Sequence, residues 1–159
     1  MMTDKKIALD ALRQYGKSKA LNLQNKSAKM TGTELNAEEN YIPDFSKAKN
    51  TMNMLERKPG FVCKSTAGRV VRLLQVYDSD IYPQEPEELS AQWGFAWSTD
   101  PEKAKPFIAL ATSPYNTGDC CYIEDSETFE NKVYSSKMDG NVHSPIDYPD
   151  GWELVNTNA

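Results

Sequence analysis

The sequence contains no long apolar run, a single histidine and only three cysteines among its 159 residues. A membrane-spanning helix needs about 20 consecutive apolar residues, so we expect no membrane span. The stretch after Met1 is polar and carries Lys5 and Lys6, so we also expect no standard secretory signal. Three cysteines do not make a full disulfide framework, and we expect reduced, buried thiols of a protein made in a cytoplasm.

Signatures of catalysis and metal binding are also scarce. No Gly-rich phosphate loop occurs, and His143 lies in a loop rich in Pro, Ser and Asn. A Cys–His nucleophile pair or a zinc site with His143 is conceivable. The cysteines lack C-x₂-C spacing, however, and the adjacent Cys120 and Cys121 face opposite sides of a strand. No acidic residue lies in the apolar strand context that suits a catalytic acid. We therefore expect no catalytic residue, no metal and no cofactor.

Charge and aromatic content divide the chain near Pro59. Residues 1–59 contain eleven Lys and Arg against seven Asp and Glu, which gives +4. Residues 60–159 contain seven against sixteen, which gives −9, and they hold thirteen of the sixteen aromatic residues. The acidic second part argues against nucleic-acid binding. This division predicts a basic N-terminal arm followed by an aromatic-rich body.

The first part has a helical pattern. Residues 4–30 are rich in Ala, Lys, Leu and Gln, and Thr3 or Asp4 can cap the start. Gly16 could divide this segment into two short helices. The apolar stripe is thin, so we expect the helix to dock on its own body, on a second copy or on another protein. A further short helix is predicted over residues 46–57.

From Gly60 onward the pattern changes to short strands separated by turns. Strands are predicted at residues 69–77, 115–122, 129–136 and 152–155, and a one-turn helix is predicted within 100–106. The predicted fold class is mainly β with an α-helical N-terminal arm.

The order of features in the body occurs twice. Gly60-Phe-Val-Cys63 aligns with Gly118-Asp-Cys-Cys121, and Gly68-Arg-Val-Val71 aligns with Asn131-Lys-Val-Tyr134. Each copy then has a Pro loop and a tryptophan, 33 residues after the first glycine in one copy and 34 in the other. Chance similarity between two β-rich stretches is the alternative, but the shared order and spacing favour a duplication.

The second copy resembles the small family 5/12 carbohydrate-binding modules. Three segments carry the resemblance, namely Ser113-Pro-Tyr-Asn-Thr-Gly-Asp-Cys-Cys121, Asn131-Lys-Val-Tyr134 and the Pro loop from Asn141 to the closing Trp152. The looser first copy resembles the version of this module in bacteriophage structural proteins. The resemblance implies two small antiparallel β modules in tandem, over residues 60–112 and 113–159, behind a helical attachment arm and linker over residues 1–59.

The resemblance also implies roles for particular residues. The tryptophan that closes each module is expected in its core, where it can bury a large apolar area, with a ligand platform as the alternative. Cysteines at equivalent strand positions are expected to be buried as well. In binding members, exposed aromatic residues stack on sugar rings, although residues 135–139 of the second copy contain none. Packing against the neighbouring module is the alternative for these aromatic residues. The expected core residues are Trp93, Trp152, Cys63 and Cys121, and the candidate ligand-binding residues are Tyr77, Tyr82, Trp97 and Tyr148.

An N-terminal helical segment ahead of such modules resembles accessory virion proteins of tailed phages, such as head or tail fibres and capsid decoration. The expected function is therefore a non-enzymatic virion protein that adheres to host or environmental glycans. Its expected partners are other virion proteins and further copies of itself, with a trimer as the expected oligomer and no nucleic acid or membrane. A purely architectural virion protein and a targeting subunit of a polysaccharide hydrolase are the alternatives.

Overall fold

The computed structural model describes residues 3–155 and has about 35% helix and 20% strand. The expected N-terminal helix and two antiparallel-rich sheets are present. The chain as a whole is mixed α/β rather than mainly β, because its helices hold more residues than its short strands. Residues 1–2 and 156–159, at the outer ends of the predicted arm and of the second predicted domain, lie outside the described residues. The helices of the described part are Asp4–Lys26 (α1), Gly32–Ala37 (α2) and Phe45–Thr51 (α3).

The long helix α1 begins at a cap and runs through Gly16 without a break. The Thr3 hydroxyl oxygen accepts the Lys6 N–H at 3.3 Å, so Thr3 rather than Asp4 is the cap. Leu23 is the buried residue of α1, while the large apolar side chains of its first half are exposed. In residues 3–155, no helix is long and apolar enough to cross a membrane.

Hydrogen bonds attach the C-terminal end of α1 to the first sheet. Gln24 donates from Nε2 to the Val62 carbonyl at 2.7 Å and accepts the Val62 N–H at 2.9 Å. The Ser27 hydroxyl donates to the Gly60 carbonyl at 2.6 Å. Gln24 thus satisfies backbone groups at the free edge of the sheet, which would otherwise be open to pairing with another chain.

Two antiparallel-rich sheets form the rest of the fold. The first has the strand order β1-β2-β3, and the second has the order β4-β5-β6-β7, in which only the short β4 runs parallel to its neighbour. The strands of the described part are Val62–Lys64 (β1), Val70–Leu73 (β2), Trp93–Phe95 (β3), Lys105–Pro106 (β4), Cys120–Glu124 (β5), Asn131–Ser136 (β6) and Trp152–Val155 (β7).

The two antiparallel meanders, β1-β2-β3 and β5-β6-β7, share backbone details. Gly60 and Gly118 both have positive φ angles (98° and 93°), a region that favours glycine. Each precedes the first strand and donates its N–H to the last residue of the second strand, Leu73 at 2.7 Å and Ser136 at 2.8 Å. Those two acceptors pair with the tryptophans that open the third strands.

Both faces of the first sheet are covered. Val62 and Val70 face the N-terminal helical segment and contact Leu23, Leu35 and Ile42. The alternate residues of the same strands face an aromatic cluster, because successive side chains of a strand point to opposite faces. Residues 20–59 therefore pack on the first sheet as one layer of the fold. Of the predicted arm, the first half of α1 is the part whose large apolar side chains are exposed.

The aromatic cluster is shared by both sheets. It includes Phe45 and Met54 of the N-terminal segment, Trp93 of the first sheet, and Cys121 and Trp152 of the second. The predicted boundaries at residues 59/60 and 112/113 therefore do not divide this cluster into separate cores.

Candidate functional site

The four candidate ligand-binding aromatic residues fall into two groups. Tyr77 and Trp97 are 8% and 6% exposed, whereas Tyr82 and Tyr148 are 52% and 43% exposed. A sugar ring can stack only on an aromatic face that solvent can reach. Tyr82 and Tyr148 therefore remain candidates for ligand contact in this structure. The prediction that Tyr77 and Trp97 bind a ligand is corrected, because both side chains are buried.

Tyr77 and Trp97 are core residues. The Tyr77 hydroxyl accepts the indole N–H of Trp93 at 2.9 Å, and the rings of Tyr77 and Trp93 meet edge to face. Burial raises the pKa of Tyr77, although the hydrogen bond from Trp93 opposes this shift. Trp97 donates its indole N–H to the Ser113 carbonyl at 2.9 Å and stacks on Tyr115 at 4.4 Å between centroids. Neither ring presents a free face to solvent, because neighbouring side chains bury both.

Tyr148 has one ring face supported and is open to solvent elsewhere. Its ring lies over Gly151 so closely that a Cβ atom at residue 151 would stand 2.7 Å from Tyr148 Cδ1. The His143 ring lies 5.4 Å away between centroids, and the His143 carbonyl accepts the indole N–H of Trp152 at 2.8 Å. This packing restricts the positions open to the ring, and a restricted ring loses less conformational entropy when a ligand binds.

Tyr82 lies in the corresponding loop of the first sheet, between its second and third strands. This loop is held by Asp78, whose Oδ1 accepts from Asn53 Nδ2 at 2.9 Å and from the Asp80 N–H at 3.0 Å. The hydrogen bond from Asn53 lowers the pKa of Asp78. Lys49 also donates to the Pro83 carbonyl at 3.1 Å, so the loop is tied to α3.

Sequence reasoning missed a short motif that connects these two loops. Ile81-Tyr82-Pro83 in the first loop is similar to Ile146-Asp147-Tyr148-Pro149 in the second, which has one residue more between the isoleucine and the tyrosine. Both isoleucines are exposed, as are both tyrosines. The shared Tyr-Pro step is the signal that could have revealed the motif.

The expected core residues Trp93, Trp152, Cys63 and Cys121 all lie in the aromatic cluster. Burial raises the pKa of Cys63 and raises the pKa of Cys121 to about 12, so neither thiol forms a thiolate near neutral pH. The three cysteines form no disulfide within the described chain. Between residues 3 and 155, no group of three or more His, Cys, Asp or Glu side chains is placed to hold a metal ion.

Comparisons of this chain with protein-family models, with curated proteins and with solved structures found no match.

Proposed function

We propose that the protein is a non-enzymatic accessory protein of a tailed-bacteriophage virion, a head or tail fibre or decoration protein, which adheres to glycans through Tyr82 and Tyr148. The observation that carries this proposal is the pair of exposed tyrosines on corresponding loops of two similar sheets. An exposed aromatic ring offers an apolar face to the C–H groups of a sugar.

The β-sheet part is, in this proposal, a tandem pair of one small β module. Its support is the equal placement of Gly60 and Gly118, the matching strand register, and the tryptophan that opens each third strand. Two tyrosine platforms on one rigid body allow two weak sugar contacts to act together. Linked weak sites raise the overall affinity by about 10²–10⁴ when both can be engaged at once.

Acidic residues close in sequence to the two tyrosines suit hydroxyl-rich ligands. Asp80 lies two residues before Tyr82, and Asp147 directly precedes Tyr148. Carboxylates accept hydrogen bonds from sugar hydroxyls and give direction to an otherwise non-directional stacking contact. The exposed first half of α1 attaches the protein to other virion proteins. This attachment determines where in the particle the protein lies.

The test is binding of the purified full-length protein to a glycan array and to insoluble chitin. We expect Tyr82→Ala and Tyr148→Ala each to reduce retention on a multivalent glycan surface, on the order of 100-fold, because either change leaves one site. Gly151→Ala should weaken binding as Tyr148→Ala does, because the added Cβ displaces the supported ring.

Tyr15→Ala is the matched control, since Tyr15 is an exposed tyrosine on α1, far along the chain from both loops. This variant should bind as the wild type does. Wild-type protein that binds no glycan would contradict the adhesion proposal and favour the architectural role.

A further inference from the structure

An apolar groove runs beside the C-terminal half of α1. Leu21 and Gln24 of the helix form one wall, and Arg57 and Phe61 form the other. These four residues are common to two adjoining cavities of about 660 Å³ and 480 Å³. Leu21 is 63% exposed, which is unusual for a leucine in a helix that docks on a folded body. The groove is therefore an uncovered apolar surface.

The groove carries a net positive charge. Arg57 lies over the Phe61 ring at 4.4 Å and donates from Nη2 to the Ala48 carbonyl at 2.9 Å. Its Nε is buried without a hydrogen-bond partner, and it makes no ion pair with any residue from 3 to 155. Lys17 and Lys58 are exposed at the rim, and Glu56 is the lining carboxylate. The groove thus suits an apolar group that is accompanied by carboxylates.

A group of that kind lies at the tip of the hairpin between β5 and β6, residues 124–131. Phe129 is 76% exposed and has a φ angle of 59°, the left-handed region that a bulky residue rarely adopts. Asp125 holds this conformation, since its Oδ1 accepts the N–H groups of Glu127 at 2.9 Å and Thr128 at 3.1 Å. The tip therefore presents an aromatic ring to solvent on a turn of defined shape.

The hairpin tip is also strongly acidic. Glu124, Glu127 and Glu130 are exposed, and none of them forms an ion pair with a residue of the described chain. Asp125 is paired with Lys132 at 3.1 Å, which leaves the three glutamates free to meet a cation. Three carboxylates around an exposed aromatic ring complement the apolar and cationic groove in both charge and polarity.

We infer that the hairpin tip of one copy of this chain inserts Phe129 into the α1 groove of a second copy. The ring contacts Leu21 and Phe61, and the flanking glutamates pair with Arg57 and the two rim lysines. This contact joins two different surfaces, so it either forms twice in a reciprocal twofold dimer or repeats from copy to copy into a ring or a chain. The inference does not depend on glycan binding, because neither surface includes Tyr82 or Tyr148.

Sedimentation velocity of the full-length protein over a wide concentration range tests this contact. We expect the wild type to associate, with weaker association at 1 M salt, where the screening length falls to about 3 Å. Phe129→Gly should be monomeric and should unfold at an equal or higher temperature, because glycine accepts the φ angle of 59° without strain. Leu21→Glu should also be monomeric, because it places a carboxylate where the acidic tip docks.

Mixing the two monomeric variants separates this contact from any other arrangement. Phe129→Gly retains an intact groove and Leu21→Glu retains an intact tip, so an equimolar mixture should form a 1:1 dimer and nothing larger. The matched control is Leu12→Glu, an exposed leucine on the same helix and outside the groove, which should associate as the wild type does.

Three results would overturn the inference. The first is a wild type that stays monomeric at every concentration, and the second is a mixture of the two variants that remains monomeric. The third is a loss of association in Leu12→Glu with none in Phe129→Gly, which would assign the contact to pairing between α1 helices.

Discussion

At the scale of single residues, the hydrogen-bonding needs of buried indoles determine which aromatic residues remain available to a ligand. Trp93 is fully buried, and its N–H is satisfied by the Tyr77 hydroxyl. Trp152 satisfies its N–H on the backbone carbonyl of His143 instead, which leaves Tyr148 free to lie over Gly151. The two sheets therefore use different acceptors at equivalent tryptophans, and only the first needs a buried tyrosine for this purpose.

Tyr77→Phe tests this account. The substitution keeps the ring but removes the acceptor, so the Trp93 N–H remains buried without a partner, which costs about 1–3 kcal/mol of unfolding free energy. Urea denaturation followed by tryptophan fluorescence measures this loss. Tyr82→Phe is the matched control and should change stability little, because Tyr82 is half exposed. Equal stabilities of wild type and Tyr77→Phe would show that this hydrogen bond does not stabilise the core.

At the scale of elements, the sequence predicts the existence of segments better than their ends. The helix over residues 4–30 and the strand over 152–155 are found close to the predicted positions, because Ala, Leu and Lys favour helix and the Trp152 segment alternates. Gly16 does not interrupt α1, since its cost of about 1 kcal/mol is small against a 23-residue helix. The strand predicted at 115–122 begins at Cys120, because Tyr115 instead makes an isolated bridge with Asn141 and Thr117 and Gly118 form a turn.

An ion-pair cluster joins elements from distant parts of the chain. Glu39, in the 3₁₀ turn Glu39–Tyr41, accepts hydrogen bonds from Lys103, at 3.0 Å, and from Lys105 of β4. Burial alone would raise the pKa of Glu39, but the hydrogen bonds from Lys105 and Lys103 together lower it. The N-terminal segment is thereby attached to the second sheet as well as to the first.

Glu39→Gln should destabilise the protein in a pH-dependent way. A carboxylate with a lowered folded-state pKa contributes stability above its unfolded-state pKa of about 4.3, and this contribution is lost as pH falls through the folded-state pKa. The difference in urea midpoint between wild type and Glu39→Gln should therefore be present at pH 7 and shrink in acid. A difference that stays constant from pH 7 into acid would rule out the ion pair as its source.

At the scale of the whole molecule, exposure was the property that sequence reasoning could not supply. The pattern of Gly, Cys and Trp residues predicts two sheets with corresponding strands. It does not distinguish Tyr77, at the end of a predicted strand, and Trp97, in a predicted loop, from Tyr82 and Tyr148. Tertiary packing across the two sheets buries the first pair and leaves the second exposed. The groove beside α1 was also beyond sequence reasoning, because Phe61 and Leu21 meet only when the helix docks.

The shared core predicts that the acidic body does not fold without the N-terminal segment. In a fragment of residues 60–159, the face of the first sheet with Val62 and Val70 would be open to water, and the aromatic cluster would lack Phe45 and Met54. We expect this fragment to show no cooperative unfolding transition in thermal melts, because an exposed apolar sheet face and a depleted core do not offset chain entropy. A fragment of residues 17–159, which lacks only the exposed first half of α1, should unfold cooperatively and near the wild-type temperature. Cooperative unfolding of residues 60–159 at the wild-type temperature would instead show that the β modules fold independently of the N-terminal segment.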